Sequence, residues 1–190
     1  EFEQLEANFV LVDDALVALQ KLAASHRRHF AYPVIGITGS NGKTIIKEWL
    51  YQLLRADFNI VRSPKSYNSQ IGVPLSVWQM NDDHQLAVFE AGISRANEMQ
   101  NLEQIIHPTI GVFTNIGTAH DANFSSRQEK VKEKTQLFDH VEVLVYCKDY
   151  PEVVTETDSH KFHHSAFRRF TWSRKTKADL QIGRISKKAD

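Results

Sequence analysis

The sequence predicts an α/β fold: a mostly parallel sheet with helices on both faces. Three observations carry this prediction. Short apolar runs alternate with stretches of helical periodicity. Several of those runs are unbroken, as strands covered on both faces require. The first run opens into GITGSNGKT, residues 36–44, which leads straight into a helical pattern.

In chain order, Asp13 or Asp14 caps a helix to about Ser25, with Leu16, Leu19, Leu22 and Ala23 on one face. HRRH (26–29) reads as a solvated link into the strand PVIGIT. Thr44–Ala56 follows as a helix, with Ile46, Leu50, Leu53 and Leu54 spaced for burial. FNIVRS and LAVFEA (86–91) are the second and third strands. A helix over 97–106 is stopped by Pro108, and TIGVFT (109–114) is the fourth strand. Ser126 and Glu129 form a capping box for a helix through Phe138, and VEVLVY (141–146) is the fifth strand. Residues 147–190 are less regular, with RFTW and LQIGRIS as possible further strands.

Composition narrows the function classes. At 42% hydrophobic and 24% charged residues the chain is ordinarily globular. A formal net charge of zero gives no reason to expect a nucleic acid or an anionic membrane as partner. The single cysteine, Cys147, excludes an internal disulfide and cannot alone make a thiolate metal site. No apolar run approaches the ~18 residues of a membrane span, and EFEQLEANFV is acidic where a signal peptide is basic. A cytoplasmic location is the expectation. The chain starts at Glu1 and stops at ISKKAD, directly after LQIGRIS, so a fragment of a longer protein is also expected.

The chemistry gathers around the glycine loop. Glycines let backbone N–H groups turn inward on a phosphate, and the following helix N-terminus adds positive potential. Lys43 would reach the β- and γ-phosphates and Thr44 would hold magnesium, as in phosphate-loop (P-loop) nucleotide hydrolases. The generic pattern G-x-x-x-x-G-K-[ST] is not fully met, because Ile37 stands at its first glycine. Glu90 ends the third strand, at the sheet edge where α/β proteins bind ligands, and so can face the Thr44 metal. Asn115 and His120, in FTNIGTAH, lie on the same edge. A lone loop histidine is ordinarily a surface residue, and magnesium prefers oxygen. His120 becomes a candidate only because its loop converges on Glu90 and Thr44. In the next helix Val131, Lys134, Leu137 and Phe138 share a face, with Lys132 and Glu133 pointing away. A lysine on an inward stripe is paired, modified or snorkelling to the rim, and periodicity alone leaves these open. SHKFHH (159–164) reads as a surface loop; Trp49, Trp78 and Trp172 read as core or rim.

Together these residues resemble the ATP-binding central domain of the Mur ligases, which build bacterial peptidoglycan precursors. The family loop T-G-[ST]-N-G-K-[ST] is matched by Thr38-Gly39-Ser40-Asn41-Gly42-Lys43-Thr44, which accounts for Ile37. NSQIGVPLSV (68–77), FEAG (89–92), EMQNLEQIIHP (98–108), TNIGTAH (114–120) and KTQLF (134–138) also match, in family order. Within the family the wording is most similar to the ligases that add D-Ala-D-Ala to UDP-MurNAc-tripeptide. His120 and Lys134 keep that group's separation of fourteen residues. SYNSQIGVPLSVW also looks like chains in which this ligase is fused to an alanine racemase.

The resemblance implies an ATP-dependent amide ligase acting through an acyl phosphate. It implies nucleotide contacts from Gly39, Ser40, Asn41, Gly42, Lys43, Thr44, Asn68 and Asn115. It implies two Mg2+ ions, one held by Thr44 and Glu90, the other by His120 and a carbamylated Lys134. Lys43, His120 and Lys134 are the implied catalytic residues. Residues 1–31 would link from an N-terminal UDP-sugar-binding domain, and 32–190 would be the central domain without its C-terminal part. UDP-MurNAc-tripeptide and D-Ala-D-Ala would be bound mainly by domains outside this chain. Three departures stand out: Ser69 where the family often has a second asparagine, Asn97 where a glycine is expected, and no G-x-H-N-x-x-N-A-type adenine segment. Another Mur ligase, a folate polyglutamate ligase or a non-catalytic nucleotide-binding module are the alternative readings.

Overall fold

The structure, a computed structural model, describes residues 8–117 and 124–183. The strands are β1 (Val34–Thr38), β2 (Ile60–Arg62), β3 (Leu86–Glu90), β4 (Ile110–Phe113), β5 (Val143–Cys147), β6 (Arg168–Ser173) and β7 (Leu180–Gln181). The helices are α1 (Ala15–Arg27), α2 (Lys43–Leu54), α3 (Gly72–Val77), α4 (Met99–Ile106), α5 (Arg127–Thr135) and α6 (Pro151–Ser159). The strands form one sheet in the order β2-β3-β1-β4-β5-β6-β7, and every pairing is parallel.

All five strands read from the sequence are present, and so are the two possible ones, although only the start of LQIGRIS lies within the described residues. β1 and β3 are buried along their whole length, which is why they read as unbroken apolar runs. In β5, Leu144 and Tyr146 are buried while Val143 and Val145 are only half-buried. The difference lies in what covers each face. One face carries the larger core, where Val34, Phe89, Phe113, Leu144 and Tyr146 meet apolar residues of α1, α3, α4, α5 and α6. On the other, Ile35, Ile37, Ile60 and Val88 pack under Ile46, Leu50 and Leu54 of α2.

Local chemistry sets the helix ends. Asp14 caps α1 by accepting from Leu16 N (2.8 Å) and Val17 N (3.0 Å). Ser126 caps α5 by accepting from Glu129 N, and the Glu129 carboxylate returns to Ser125 N and Oγ. α4 ends at His107, which takes left-handed backbone (φ 42°) just before Pro108.

Four expectations are corrected. Leu16, Leu22 and Leu53 are exposed, because α1 and α2 each touch the body of the domain along a strip narrower than the apolar spacing suggested. HRRH is not a solvated link: Arg27 is buried and donates to Ile106 O (2.8 Å), Phe30 O (2.7 Å) and His107 O (3.0 Å). Glu133 is buried and accepts from Met99 N (3.1 Å), because α5 is packed on more than one side. Helices α3 and α6 were not expected at all.

Gly111 of β4 shows how tightly the larger core is closed: a Cβ there would lie 2.4 Å from Phe138 Cδ1 and 3.0 Å from Leu144 Cδ1. Gly111→Ala is therefore expected to lower stability by about 1–3 kcal/mol in urea unfolding through overpacking. An unchanged midpoint would show that Phe138 has room to move.

Candidate functional site

Parallel pairing aligns the strand ends that build the site. In register, Ile37 pairs with Glu90 and Thr38 with Phe113, so the loop leaving β1 emerges between the ends of β3 and β4. Gly39 (φ 143°) and Gly42 (φ 81°) turn that loop through backbone conformations that disfavour side chains. At Gly39 a Cβ would also fall 2.0 Å from Thr114 Oγ1. Gly42 is the N-cap of α2 and brings no side chain to the first-turn N–H groups, which therefore keep the positive end of the helix.

The loop is braced from β4. Ser40 N donates to Asn115 O (3.0 Å) and Asn41 N to Asn115 Oδ1 (3.1 Å). Asn115 Nδ2 (3.1 Å) and Thr114 Oγ1 (2.7 Å) both donate to Asn41 O. Asn115, expected to touch nucleotide, thus has its side-chain amide engaged by the loop itself. Lys43 Nζ lies across the loop and donates to Gly39 O (2.9 Å).

Glu90 is fully buried at the end of β3, where the sequence located it. Its Oε2 accepts from Thr44 Oγ1 at 3.0 Å and from Asn68 Nδ2 at 3.5 Å. Its Oε1 faces Lys47 Nζ at 3.0 Å, an ion pair without hydrogen-bond alignment. Lys47 is itself fully buried and donates to the Ser63 (2.8 Å) and Lys65 carbonyls. Sequence reasoning missed Lys47. It lies one helical turn beyond Lys43 and Thr44, and that i+4, i+3 relation was the available signal.

Lys134 is buried on the same face as Val131, Leu137 and Phe138, as periodicity predicted. It shares a hollow of about 370 Å³ with Gly39, Lys43, Asn68, Gly92 and Ser94. Burial, reinforced by Lys43 and Lys130, pushes the Lys134 amine down to about 7, with Glu133 pulling the other way. Lys43 is also lowered, first by burial and then by Lys130, against the opposing pull of Glu90. Lys130 is a second residue the sequence did not reveal: it is buried and donates from Nζ to Gly117 O at 2.7 Å. This hollow beside a helix N-terminus is lined by Lys43 and Lys134 together with Glu98; the helix end and Lys43 suit a phosphate, and the Thr44–Glu90 oxygens suit a hard divalent cation.

The sequence departures find physical reasons here. Ser69 Oγ accepts from Gly72 N (3.2 Å) at the start of α3, so this position serves a helix end. Asn97 takes a left-handed backbone (φ 64°), which asparagine tolerates better than most residues that could replace a glycine. His120 lies outside the described residues. SHKFHH forms the end of α6 and a loop, and carboxylates from outside the motif reach it: His160 Nε2 lies 2.8 Å from Asp139 Oδ1. Trp49 and Trp78 are exposed, on the rim rather than in the core.

Comparison with known proteins agrees with this fold. The Mur ligase middle domain, as a family description, matches residues 37–190. The chain is 35% identical over 145 residues to the UDP-N-acetylmuramoyl-tripeptide–D-alanyl-D-alanine ligase of Bacillus subtilis (strain 168), covering 75% of this chain and 32% of that protein. The enzyme of the same name from Synechocystis sp. is 38% identical over 130 residues, covering 68% and 29%. This chain therefore spans about a third of the length of the curated relatives it matches. Among solved structures, the MurF ligase from Thermotoga maritima in complex with ADP aligns with a TM-score of 0.78 at 26% identity, covering 92% of this chain and 40% of that one. MurF from Acinetobacter baumannii aligns with a TM-score of 0.76 at 27% identity, covering 90% and 38%.

The buried amine has a measurable consequence. Its pKa is lowered from 10.5 to about 7, so between those values the unfolded chain holds a proton that the folded chain has released. Stability contributed by this site therefore rises with pH across that window. In bicarbonate-free buffer, Lys134→Met is expected to be more stable than the parent at pH 7 by roughly 1–4 kcal/mol. The gain should shrink toward pH 10 in parallel urea titrations. A gain independent of pH would mean that packing, not the amine's charge, sets the difference.

Proposed function

The chain belongs to the Mur ligase middle-domain family, and on that premise we propose that it is the ATP-binding part of a ligase that adds D-Ala-D-Ala to UDP-MurNAc-tripeptide. The observation that carries this reading is that Lys134 shares one hollow with the Gly39–Lys43 loop. A phosphate-loop hydrolase accounts for Lys43, Thr44 and Glu90 but has no use for a buried lysine facing the same space.

In the proposed reaction the γ-phosphoryl group of ATP passes to the terminal carboxylate of the tripeptide, giving an acyl phosphate and ADP. The D-Ala-D-Ala amine attacks the acyl carbon, and the tetrahedral adduct expels phosphate and loses a proton to form the amide. The N–H groups of Gly42, Lys43 and Thr44, at the α2 N-terminus, would hold the β- and γ-phosphates, with Lys43 swinging from Gly39 O onto the transferring group. Asn115 would act by bracing Asn41, and Asn68 from beside Glu90.

Magnesium supplies charge neutralisation on the phosphoryl oxygens. The residues fit it: Thr44 Oγ1 and Glu90 Oε2, hydrogen-bonded at 3.0 Å, are two hard oxygen donors at the head of α2 that would hold the ion. A second ion would use His120 and a carbamylated Lys134. An amine lowered to about 7 is substantially neutral near that pH and can add to CO2, releasing a proton and exchanging a buried cation for an oxygen anion.

Residues 1–31 would then lead in from a UDP-sugar-binding domain, with 32–190 forming the central domain, and both substrates would be held mainly by the remainder of the ligase. The matched part makes up about a third of each curated relative, which leaves room for such further domains. No described helix is long and apolar enough to cross a membrane, which accords with the cytoplasmic location we propose.

Calorimetric titration of magnesium-ATP provides the test. The parent chain is expected to bind, and Lys43→Ala to bind at least tenfold more weakly, about 1.4 kcal/mol or more. Equal binding by both would overturn the phosphate-loop assignment. In the full-length ligase, Lys134→Ala should abolish amide formation from the tripeptide and D-Ala-D-Ala. Retained ligation would remove Lys134 from the mechanism.

A further inference from the structure

At the opposite edge of the sheet, before the N-terminal ends of β4 and β5, a second group of ligating side chains comes together. Glu103 and His107 are one helical turn apart at the end of α4, and His140 precedes β5. One ligand atom from each lies within 4.8 Å of the other two. The Glu103 carboxylate is buried while both imidazoles reach solvent, and His140 Nδ1 meets Glu103 Oε1 at 2.9 Å. His107 and His140 stack with ring centroids 5.3 Å apart, and His163 also stacks on His140, at 5.2 Å.

We propose that Glu103, His107 and His140 form a binding site for a zinc-class divalent cation, separate from the nucleotide site. Two imidazoles and one carboxylate are a donor set that zinc accepts with a fourth position left open. Tetrahedral bonds of 2.0–2.2 Å need ligand atoms about 3.4 Å apart, within reach of rotations of the two exposed rings. Coordination through His140 Nδ1 uses the neutral tautomer that carries its proton on Nε2, and exchanges the Nδ1–Glu103 hydrogen bond for two bonds to the metal.

The surroundings favour the arrangement in two further ways. His107 holds a left-handed backbone (φ 42°), uncommon for a residue other than glycine, and Arg27 pins it there by donating to the Ile106 and His107 carbonyls. The C-terminal end of α4, with its partial negative charge, lies at the site. Glu103, His107 and His140 all line a hollow of about 680 Å³, whose walls also include Lys21, Arg27, Arg28 and Phe30. Arg27 is a cation beside this site, but its donors are committed to backbone carbonyls. The inference is independent of the proposed ligase activity.

Zn2+ is titrated into the 190-residue chain in excess Mg2+, with a chromophoric zinc indicator as competitor. One equivalent is expected to bind; His107→Gln and His140→Gln should each weaken it at least about tenfold. His160→Gln, at the neighbouring Asp139 and Glu156 carboxylates, should leave it unchanged. Zn2+ should raise the Tm of the parent and of neither ligand variant. His107→Asn, which tolerates the left-handed backbone, replaces His107→Gln if that variant does not fold. No zinc bound by the parent, affinity indifferent to both His107 and His140, or loss in His160→Gln alone would each overturn the site.

Discussion

The buried pair of Lys47 and Glu90 is the contact on which the nucleotide-side architecture depends. Each charge alone would be prohibitively expensive in the interior, and together they are tolerable only because every element around them supplies a partner. Lys47 reaches from α2 to the carbonyls of Ser63 and Lys65 beyond β2 and to Glu90 at the end of β3. Glu90 N in turn donates to Ser63 Oγ, and Glu90 Oε2 accepts from Thr44 at the head of α2. One ion pair thereby fixes the helix that follows the phosphate loop against the two strands beside it. Removing Lys47 would leave an uncompensated carboxylate, a loss on the order of 3–5 kcal/mol. It would also leave Glu90 Oε1, the oxygen turned away from Thr44, without its ion-pair partner. Lys65, in left-handed backbone at φ 48°, is held by this network through its own carbonyl.

Much of this arrangement was legible in the sequence, and what was not follows from the physics of the parts. β1 and β3 read clearly because both faces are covered, and parallel pairing then dictates that Glu90 and Thr44 meet. α3 escaped detection because GVPLSV is only six residues long and contains Gly72 and Pro74, both turn signals. α6 begins with Pro151 at its first turn, where proline is suited to a helix, but its polar remainder hides the periodicity. Lys47, Lys130 and Glu133 were lost for one common reason. Apolar spacing treats a charged residue as surface, whereas each of these is buried against a carbonyl, a carboxylate or a helix N–H that comes from distant sequence. Arg27 is the same case in HRRH: the motif reads as solvated until α4 supplies its carbonyls.

The glycine loop illustrates how a departure from a general pattern can keep its chemistry. The loop needs backbone freedom at Gly39 and Gly42, where φ is 143° and 81°, and not at Ile37, which lies inside β1 and packs under α2. A glycine at that position would remove core contact without easing any turn. Asn41 and Asn115 exchange hydrogen bonds across the gap between the loop and β4, so the loop's shape is fixed by side chains as well as by glycines. Catalysis by positioned dipoles requires this stiffness, because a donor that must reorganise at each turnover loses much of its advantage.

The two ends of the sheet present opposite helix ends, and the fold itself produces the contrast. Parallel strands force each connecting helix to run antiparallel to the strands, so helix N-termini gather at the strands' C-terminal edge and helix C-termini at the other. At the first edge the uncapped start of α2, with Lys43 and Lys134, makes a hollow suited to phosphates. At the second, the end of α4 presents carbonyls that already attract a cation, the Arg27 guanidinium, and beside them lie Glu103, His107 and His140. The first edge thereby offers helix N–H donors and the second helix carbonyl acceptors. A site for an anion and a site for a metal cation at the two edges are thus complementary consequences of one all-parallel topology, and a change confined to one edge should leave the ligand affinity of the other unaltered.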